Sequence, residues 1–456
     1  MLTREQLSTL DKEALIEIIL KLAARVSELE ARLDQNSKNS SKPPSSNSPF
    51  KTLAPKPNSD KKSGGQPGHE GHGLKRVQTP ERIIAHALSD CPHCGCTLED
   101  QPAQLVASWQ VFDLPQELKI EVSEHQQLSV RCRWCEQESR GKLPTWLSQT
   151  TPCQWGPRCR ALAVYLMHQQ HLPYERTQAL FSDLFGSAPS EGTLFNWLSD
   201  AYQTLAPMEA AIGEALLKSE QVGADETPAR GAGWLHCLVS EDWTWYGCHN
   251  KRGREAMESF GLLPCLAGLL MSDALSSYAI YGKERALCCA HLLRELVAVW
   301  ERGHRWAGQM IALLLRVKEQ VEAVGAPLPR SRLHAIFRQF GRIVALGRRE
   351  SRALAVEKSG ALLSRLEAHR DAYLRFATRA GAWFDNNISE RALRMMKLHV
   401  KVSGCFRSEQ GCRILCRVRG YLSTMKKQGQ ALMPALIRVM EGRPILPPLL
   451  QAQAAN

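Results

Sequence analysis

Gln221-Val-Gly-Ala-Asp225-Glu-Thr-Pro228 is a short apolar run that ends on a carboxylate, and the residues after it keep a strand-like pattern. Gly233 to Ser240 and Trp243 to Asn250 read as two further strands, joined by a tight turn at Glu241-Asp242. A helix is expected from Arg254 to Leu263. It is followed by a buried apolar run, Cys265 to Met271, that stops at Ser272-Asp273. The next helix is expected to start near Lys283.

The order β-β-β-α-β-α is that of a ribonuclease H-like core. In that topology the first and fourth strands are neighbours, so Asp225 and Asp273 are expected to meet at one edge of the sheet. Two carboxylates a few ångströms apart repel each other unless a cation lies between them. Magnesium suits such a place, because it prefers carboxylate, water and phosphate oxygen. A third carboxylate would complete a site for two ions, one activating water or a DNA 3′-hydroxyl and the other stabilising the departing 3′ oxygen. Each acid also has a plainer reading. Asp225 starts an Asp-Glu-Thr-Pro turn, and Asp273 suits a helix cap. Asn387-Ile-Ser-Glu390 has capping-box spacing ahead of the apolar-periodic Ala392 to Met396 helix. By spacing alone Glu390 reads first as a cap, and Glu226, Glu284 and Glu295 compete with it for the third position.

Upstream of this core, residues 157–217 read as a helical region. Glu175 to Leu184 and Glu191 to Tyr202 flank a short turn with Gly186 and Pro189, and Ser190-Glu-Gly-Thr193 starts the second helix. The pair resembles a helix-turn-helix. Its second helix offers Glu191, Asn196 and Asp200 but no basic residue to base edges, so DNA contact and plain packing stand level. Before it, residues 81–147 carry Cys91-Pro-His-Cys94 and Cys132-Arg-Trp-Cys135 around a β-like stretch, Leu118 to Val130. Two such knuckles supply the four thiolates that one structural zinc ion requires, with His93 and Cys96 as alternative ligands. Residues 36–80 are rich in Ser, Asn, Lys, Pro and Gly and read as a disordered polar linker. In residues 1–35, Leu15, Ile19, Leu22, Val26, Leu29 and Leu33 follow heptad spacing, mostly β-branched at a and Leu at d, which favours a parallel pair of helices. The plainer reading is an amphipathic helix packed on its own chain.

The chain has 456 residues, too many for one ordinary core, and its 58 Lys and Arg against 46 Asp and Glu favour a polyanionic partner, nucleic acid first. No N-terminal stretch reads as a signal peptide, and the most apolar run, Gly261 to Met271, is short and holds Pro264, so no span of a bilayer is expected. A cytosolic protein of the nucleoid is expected instead. Fifteen cysteines scattered over such a chain argue against a disulfide framework. Outside the knuckles most of them, Cys237, Cys248, Cys265, Cys288 and Cys289 included, read as reduced core residues.

The motifs taken in order resemble the large transposase of the insertion-sequence-66 family over nearly the whole length. They are the zipper-like helix, Gly64-Gly-Gln-Pro-Gly-His-Glu-Gly-His-Gly73, the two cysteine knuckles and Asp225-Glu-Thr-Pro228. Ser272-Asp-Ala-Leu-Ser-Ser-Tyr278, Cys289-Ala-His-Leu-Leu-Arg294 and Asp385-Asn-Asn-Ile-Ser-Glu-Arg-Ala-Leu-Arg394 complete the series. The chain departs from the family pattern at Ala274, Leu292-Leu293 and Met395-Met-Lys-Leu-His-Val400. The resemblance implies a bacterial transposase with an Asp-Asp-Glu triad of Asp225, Asp273 and Glu390, holding two magnesium ions. The core would then run through 218–295 and 381–430, interrupted by a basic helical insertion at 296–380 and followed by a C-terminal tail, 431–456. It further implies binding to the terminal inverted repeats and to target DNA, self-association as a dimer or higher, and small accessory proteins of the same element. Arg338, Arg342, Arg348 and Arg349 in the insertion, and Arg391 and Arg394 beside Glu390, are the expected phosphate contacts. A catalytically silent DNA-binding descendant and a ribonuclease H-like nuclease or resolvase are the rival readings.

Overall fold

The computed structural model describes residues 13, 16–23, 26, 74–99, 102, 104–115, 117–354 and 357–449, with the backbone alone at 352–354 and 357–359. Two compact units divide the chain, 48–121 and the remainder. Among the described residues of the smaller unit, Asp90 and Thr97 form an isolated antiparallel bridge. Of the heptad seam, Leu15, Leu29 and Leu33 lie outside the described residues. Residues 16–23 are helical, and Ile19, Leu22 and Val26 are more than half exposed. Linker positions 36–73 also fall outside the described residues, and 74–80 hold no regular element.

In the larger unit a two-stranded hairpin comes first, β1 (Ser129–Arg131) and β2 (Glu138–Arg140). The longer β-like stretch expected from Leu118 is not a strand before Ser129. Its single apolar residues have no neighbouring strand to pair with, and an extended segment without a ladder is not a strand.

Four helices follow: α1 (Pro157–Val164), α2 (Tyr174–Phe185), α3 (Glu191–Thr204) and α4 (Ala206–Lys218). Gly186 ends α2 in the left-handed region at φ 67°, and the Ser190 hydroxyl caps α3 by accepting the Thr193 N–H. Leu194, Trp197, Leu198 and Ala201 turn one face of α3 into a core, and Asp200 is held by Arg160. That leaves Glu191, Phe195 and Asn196 exposed on α3.

A five-stranded mixed sheet forms the centre, in the order β5-β4-β3-β6-β7. Its strands are β3 (Gln221–Ala229), β4 (Gly233–Val239), β5 (Thr244–His249), β6 (Leu269–Ser272) and β7 (Glu284–Leu287). β4 runs antiparallel to both β3 and β5, whereas β6 lies parallel to β3 and β7 parallel to β6. The helix expected near Lys283 is therefore a strand. Ala286 and Leu287 are buried, and the parallel neighbour β6 supplies the ladder that a four-residue segment with a charged start does not announce. Between β5 and β6 lies α5 (Arg254–Ser259), shorter than expected.

Strand alternation divides the sheet's side chains between two helical layers. Val222, Ala224, Leu238 and Leu270 pack with Ile212 and Leu216 of α4 and Met257 of α5. Leu235, Cys237, Val239 and Tyr246 face the other way. They meet α10 (Asn387–Ser403) and α11 (Glu409–Lys427) through Leu393, Met396, Cys412 and Leu415. In sequence, α6 (Cys289–Trp300), α7 (Arg305–Val324), α8 (Arg330–Leu354) and α9 (Glu357–Ala368) lie between β7 and α10. They bury a separate core around Trp306, Met310, Phe340, Ile343 and Leu366. The stretch after 431, expected as a tail, holds α12 (Leu432–Met440), whose Ala435, Leu436 and Val439 share a core with α1 and α3. Among the core cysteines expected, Cys237, Cys248, Cys288 and Cys289 are buried, but Cys265 is exposed in a short 3₁₀ turn.

Candidate active site

β3 and β6 pair in parallel with Gly223 opposite Met271. Continued by two residues, that register brings Asp273, just past the end of β6, level with Asp225. Neighbouring strands lie about 4.8 Å apart. Gly223 and Asp225 share one face of β3, the face covered by α10, while Glu226 belongs to the opposite face by alternation. Asp225 Oδ1 accepts the Glu226 N–H at 2.9 Å, and Asp273 Oδ1 accepts the Leu275 N–H at 2.9 Å. Asp273 thus ties the turn before a short 3₁₀ helix but does not cap it, since the N-cap is Leu275, without a side-chain bond.

Glu390, the expected third acid, lies in the first turns of α10, and a glycine lets the start of that helix pack on β3. A Cβ on Gly223 would lie 2.4 Å from Ser389 Oγ and 2.6 Å from Asn386 Oδ1. With hydrogen there instead, the start of α10 lies directly on the β3 backbone. Asn386 Nδ2 donates to Ala224 O at 2.8 Å, and the Asn386 N–H reaches Cys288 Sγ at 3.2 Å. Trp383 N–H donates to Gln221 Oε1 at 3.2 Å, and Cys289 N–H to Phe384 O at 3.1 Å. Cys288 N–H in turn bonds Ser272 O at 2.9 Å, so the ends of β6 and β7 and the start of α10 are laced together.

Glu390 is not a cap. The helix N-cap is Asn386, without a side-chain bond, and Asp385 Oδ1 takes the Asn387 N–H at 3.0 Å. Glu390 points instead toward α6. Its Oε1 lies 3.5 Å from His291 Nδ1, and its Oε2 lies 3.4 Å from Arg294 Nη2. The first of these is an electrostatic contact without hydrogen-bond alignment, so Glu390 Oε1 and His291 Nδ1 are buried atoms with no hydrogen-bond partner among the described residues. Cys288, His291 and Glu390 each place a ligand atom within 4.8 Å of the other two.

Burial first, then charge on Glu226 and, less, on Asp273 and Glu390, together push the Asp225 carboxyl up to about 8, while the Glu226 N–H works against the shift. Asp225 therefore feels both other acids of the expected triad. The rival carboxylates are already engaged. Glu226 takes Arg252 at 2.8 Å and the Tyr278 hydroxyl at 2.6 Å. Glu284 holds Arg379 at 2.7 Å, and Glu295 is paired with Arg365. Reading the sequence did not assign His291, Arg294, Asn386 or Gly223 to the site. The only signal was that the first three lie inside the quoted motifs and that Gly223 interrupts a strand.

Of the expected phosphate contacts, Arg391 and Arg394 are exposed on α10, one and four residues after Glu390. Arg338, Arg342 and Arg349 are exposed on α8 without an ion pair among the described residues, whereas Arg348 is paired with Glu367. The two cysteine knuckles belong to different units, and each repeats one local pattern. Cys91 N–H bonds Cys96 O and Gly95 N–H bonds Cys91 O, both at 2.8 Å. Cys132 N–H bonds Gln137 O at 2.9 Å and Glu136 N–H bonds Cys132 O at 2.8 Å. The fifth residue is left-handed in both, Gly95 at φ 75° and Glu136 at φ 56°. The Cys96 N–H, then the Cys91 and Cys96 thiols, hold the Cys94 thiol below its ordinary range; the N–H groups of Cys135 and Trp134, then the Cys135 thiol, do so for Cys132.

A family model described as Transposase IS66 family matches residues 152–414, which takes in α1–α4, the whole sheet, the insertion, Glu390 and the first turns of α11. The chain belongs to the IS66 transposase family. A second model, a family of unknown function (DUF6444), matches residues 3–75 of this transposase. No curated protein matches it. Among the described residues of the transposase no helix is long and apolar enough to cross a membrane.

Proposed function

We propose that this chain is a DDE transposase with a ribonuclease H-like core, in which Asp225, Asp273 and Glu390 hold two magnesium ions. The observation that carries the proposal is the meeting of β3, the end of β6 and the start of α10 on one face of the sheet, made possible by Gly223. The residues fit a divalent ion. An acid held protonated near neutrality by burial and neighbouring charge is one a cation would ionise, and Glu390 Oε1 is a buried oxygen lacking a hydrogen-bond partner among the described residues. Magnesium, when bound, activates water or a 3′-hydroxyl and offsets charge on the departing oxygen. Arg294 orients Glu390, and Asn386 fixes the helix that carries it.

In this reading the chain cuts at the terminal inverted repeats of its element and joins the 3′ ends to target DNA in the bacterial cytoplasm, at the nucleoid. Arg391 and Arg394 touch phosphates beside the metals, and Arg338, Arg342 and Arg349 extend the contact along α8. Arg348 contributes less, because Glu367 already neutralises it. The knuckles Cys91/Cys94 and Cys132/Cys135 supply thiolates for structural zinc. Residues 1–35 pair two chains, and small proteins of the same element assist. Asp225→Asn tests the reading: magnesium-dependent cleavage of an element end disappears while DNA binding stays, and persistent cleavage refutes the site. Joining of the cut 3′ end to a second DNA separates a transposase from a nuclease or resolvase, which would cut without joining.

A further inference from the structure

A second set of ligands shares Glu390 but has a different chemistry. Cys288 Sγ, a ring nitrogen of His291 and a carboxylate oxygen of Glu390 all lie within 4.8 Å of one another. Sulfur, imidazole and carboxylate together are the ligand set of zinc and related first-row ions, not of magnesium, which binds hard oxygen. From bond lengths of about 2.0–2.3 Å, a tetrahedral zinc ion keeps its ligand atoms roughly 3.4–3.6 Å apart. His291 Nδ1 and Glu390 Oε1 are 3.5 Å apart. Both are buried and without a hydrogen-bond partner among the described residues, an arrangement that costs free energy unless a third party satisfies it.

The surroundings are those of a metal site as well. The Asn386 N–H already points at Cys288 Sγ at 3.2 Å, and such donors stabilise a ligating thiolate. Arg294 holds Glu390 by Oε2 and leaves Oε1 facing His291. Cys288 and His291 sit at the start of α6 in one turn, so their spacing is fixed by the helix, and only Glu390 comes from elsewhere.

We infer that Cys288, His291 and Glu390 form a zinc-class site with three protein ligands, in which Glu390 is withdrawn from Asp225 and Asp273. The ligand set rests on geometry alone; the consequence for Glu390 rests on the proposed triad. Zinc in this place would then oppose magnesium in the other, since one carboxylate serves both.

The test measures zinc bound per full-length chain by elemental analysis after removal of weakly held metal. Cys288→Ser, His291→Ala and Glu390→Gln are compared with the unaltered protein, each confirmed folded by its thermal transition. The expected result is the loss of one equivalent of zinc in each. Cobalt loading should show the same loss as a weakened thiolate-to-cobalt absorption in Cys288→Ser. Asp225→Asn should keep the equivalent even though it loses cleavage, which separates this site from the magnesium reading: cleavage that survives in Asp225→Asn sinks that reading and leaves the zinc count standing. An unchanged zinc content in the folded Cys288→Ser and Glu390→Gln proteins overturns the inference, as does loss of the equivalent in Asp225→Asn.

Discussion

Gly223→Ala probes the joint on which the proposed site depends. The added methyl would begin 2.4 Å from Ser389 Oγ and 2.6 Å from Asn386 Oδ1, with Trp383 Cζ3 at 3.2 Å. Reaching an ordinary contact of about 3.5 Å requires the start of α10 to retreat by about 1 Å. Ser389 and Asn386 are buried, so neither side chain swings away into solvent. Overpacking of this kind costs about 1–3 kcal/mol. Loss of the Asn386–Ala224 hydrogen bond adds about 1 kcal/mol. The smaller chain entropy of alanine in the unfolded state returns about 0.5 kcal/mol. The net is about 1.5–3.5 kcal/mol, which in a unit as large as the one holding Gly223 lowers the midpoint by roughly 2–5 °C in calorimetry. A displacement of about 1 Å at a catalytic group lowers turnover by about 10²-fold, read as magnesium-dependent nicking of an element-end duplex. Ser389→Ala removes the nearest clashing atom, an oxygen without a hydrogen-bond partner among the described residues. The double variant should therefore recover part of both losses. If Gly223→Ala melts within a degree of the parent and nicks at its rate, α10 is not seated through that glycine.

Two further outcomes follow from the electrostatics and the knuckles. Asp225 in the folded chain protonates near 8 against an ordinary 3.8, so its contribution to stability is complete below pH 3.8 and is lost as pH rises through about 8. Between about pH 6.5 and 8, above the titration of His168, His171 and His399, which burial holds below 6.5, the metal-free midpoint should fall with pH. Asp225→Asn should flatten that fall, and an equal slope in the variant removes Asp225 as its cause. For the knuckles, Cys94→Ser should cost about one zinc per chain with partial unfolding of that region. An unaltered zinc content would leave the four thiolates without a metal role.

Much of the sheet was legible because β3, β4 and β5 are apolar runs broken by recognisable turns, and β6 ends on a polar pair. β7 was not legible. Its Glu284-Arg285 start looks helical, and only the parallel neighbour makes it a strand. Asp225 and Asp273 could be matched because strand order converts sequence into position. Glu390 could not be matched by spacing, since capping-box residues and ligands share the same offset. What distinguishes it is a pair of contacts with His291 and Arg294, 99 and 96 residues away in the chain. Gly223 and Asn386 escape periodicity for the same reason, as their meaning lies in a contact between β3 and α10. The helical insertion was expected from the family resemblance, but the pairing of Arg348 with Glu367 was not.

The most direct measurement is anomalous scattering at the manganese edge from crystals of the transposase grown with manganese and a DNA end. The account predicts two peaks roughly 4 Å apart, the ions together bound by Asp225 and Asp273 with Glu390 as the third carboxylate. Manganese bound without Asp225 or Asp273, or a Glu390 carboxylate beyond reach of both ions in the DNA complex, would contradict it.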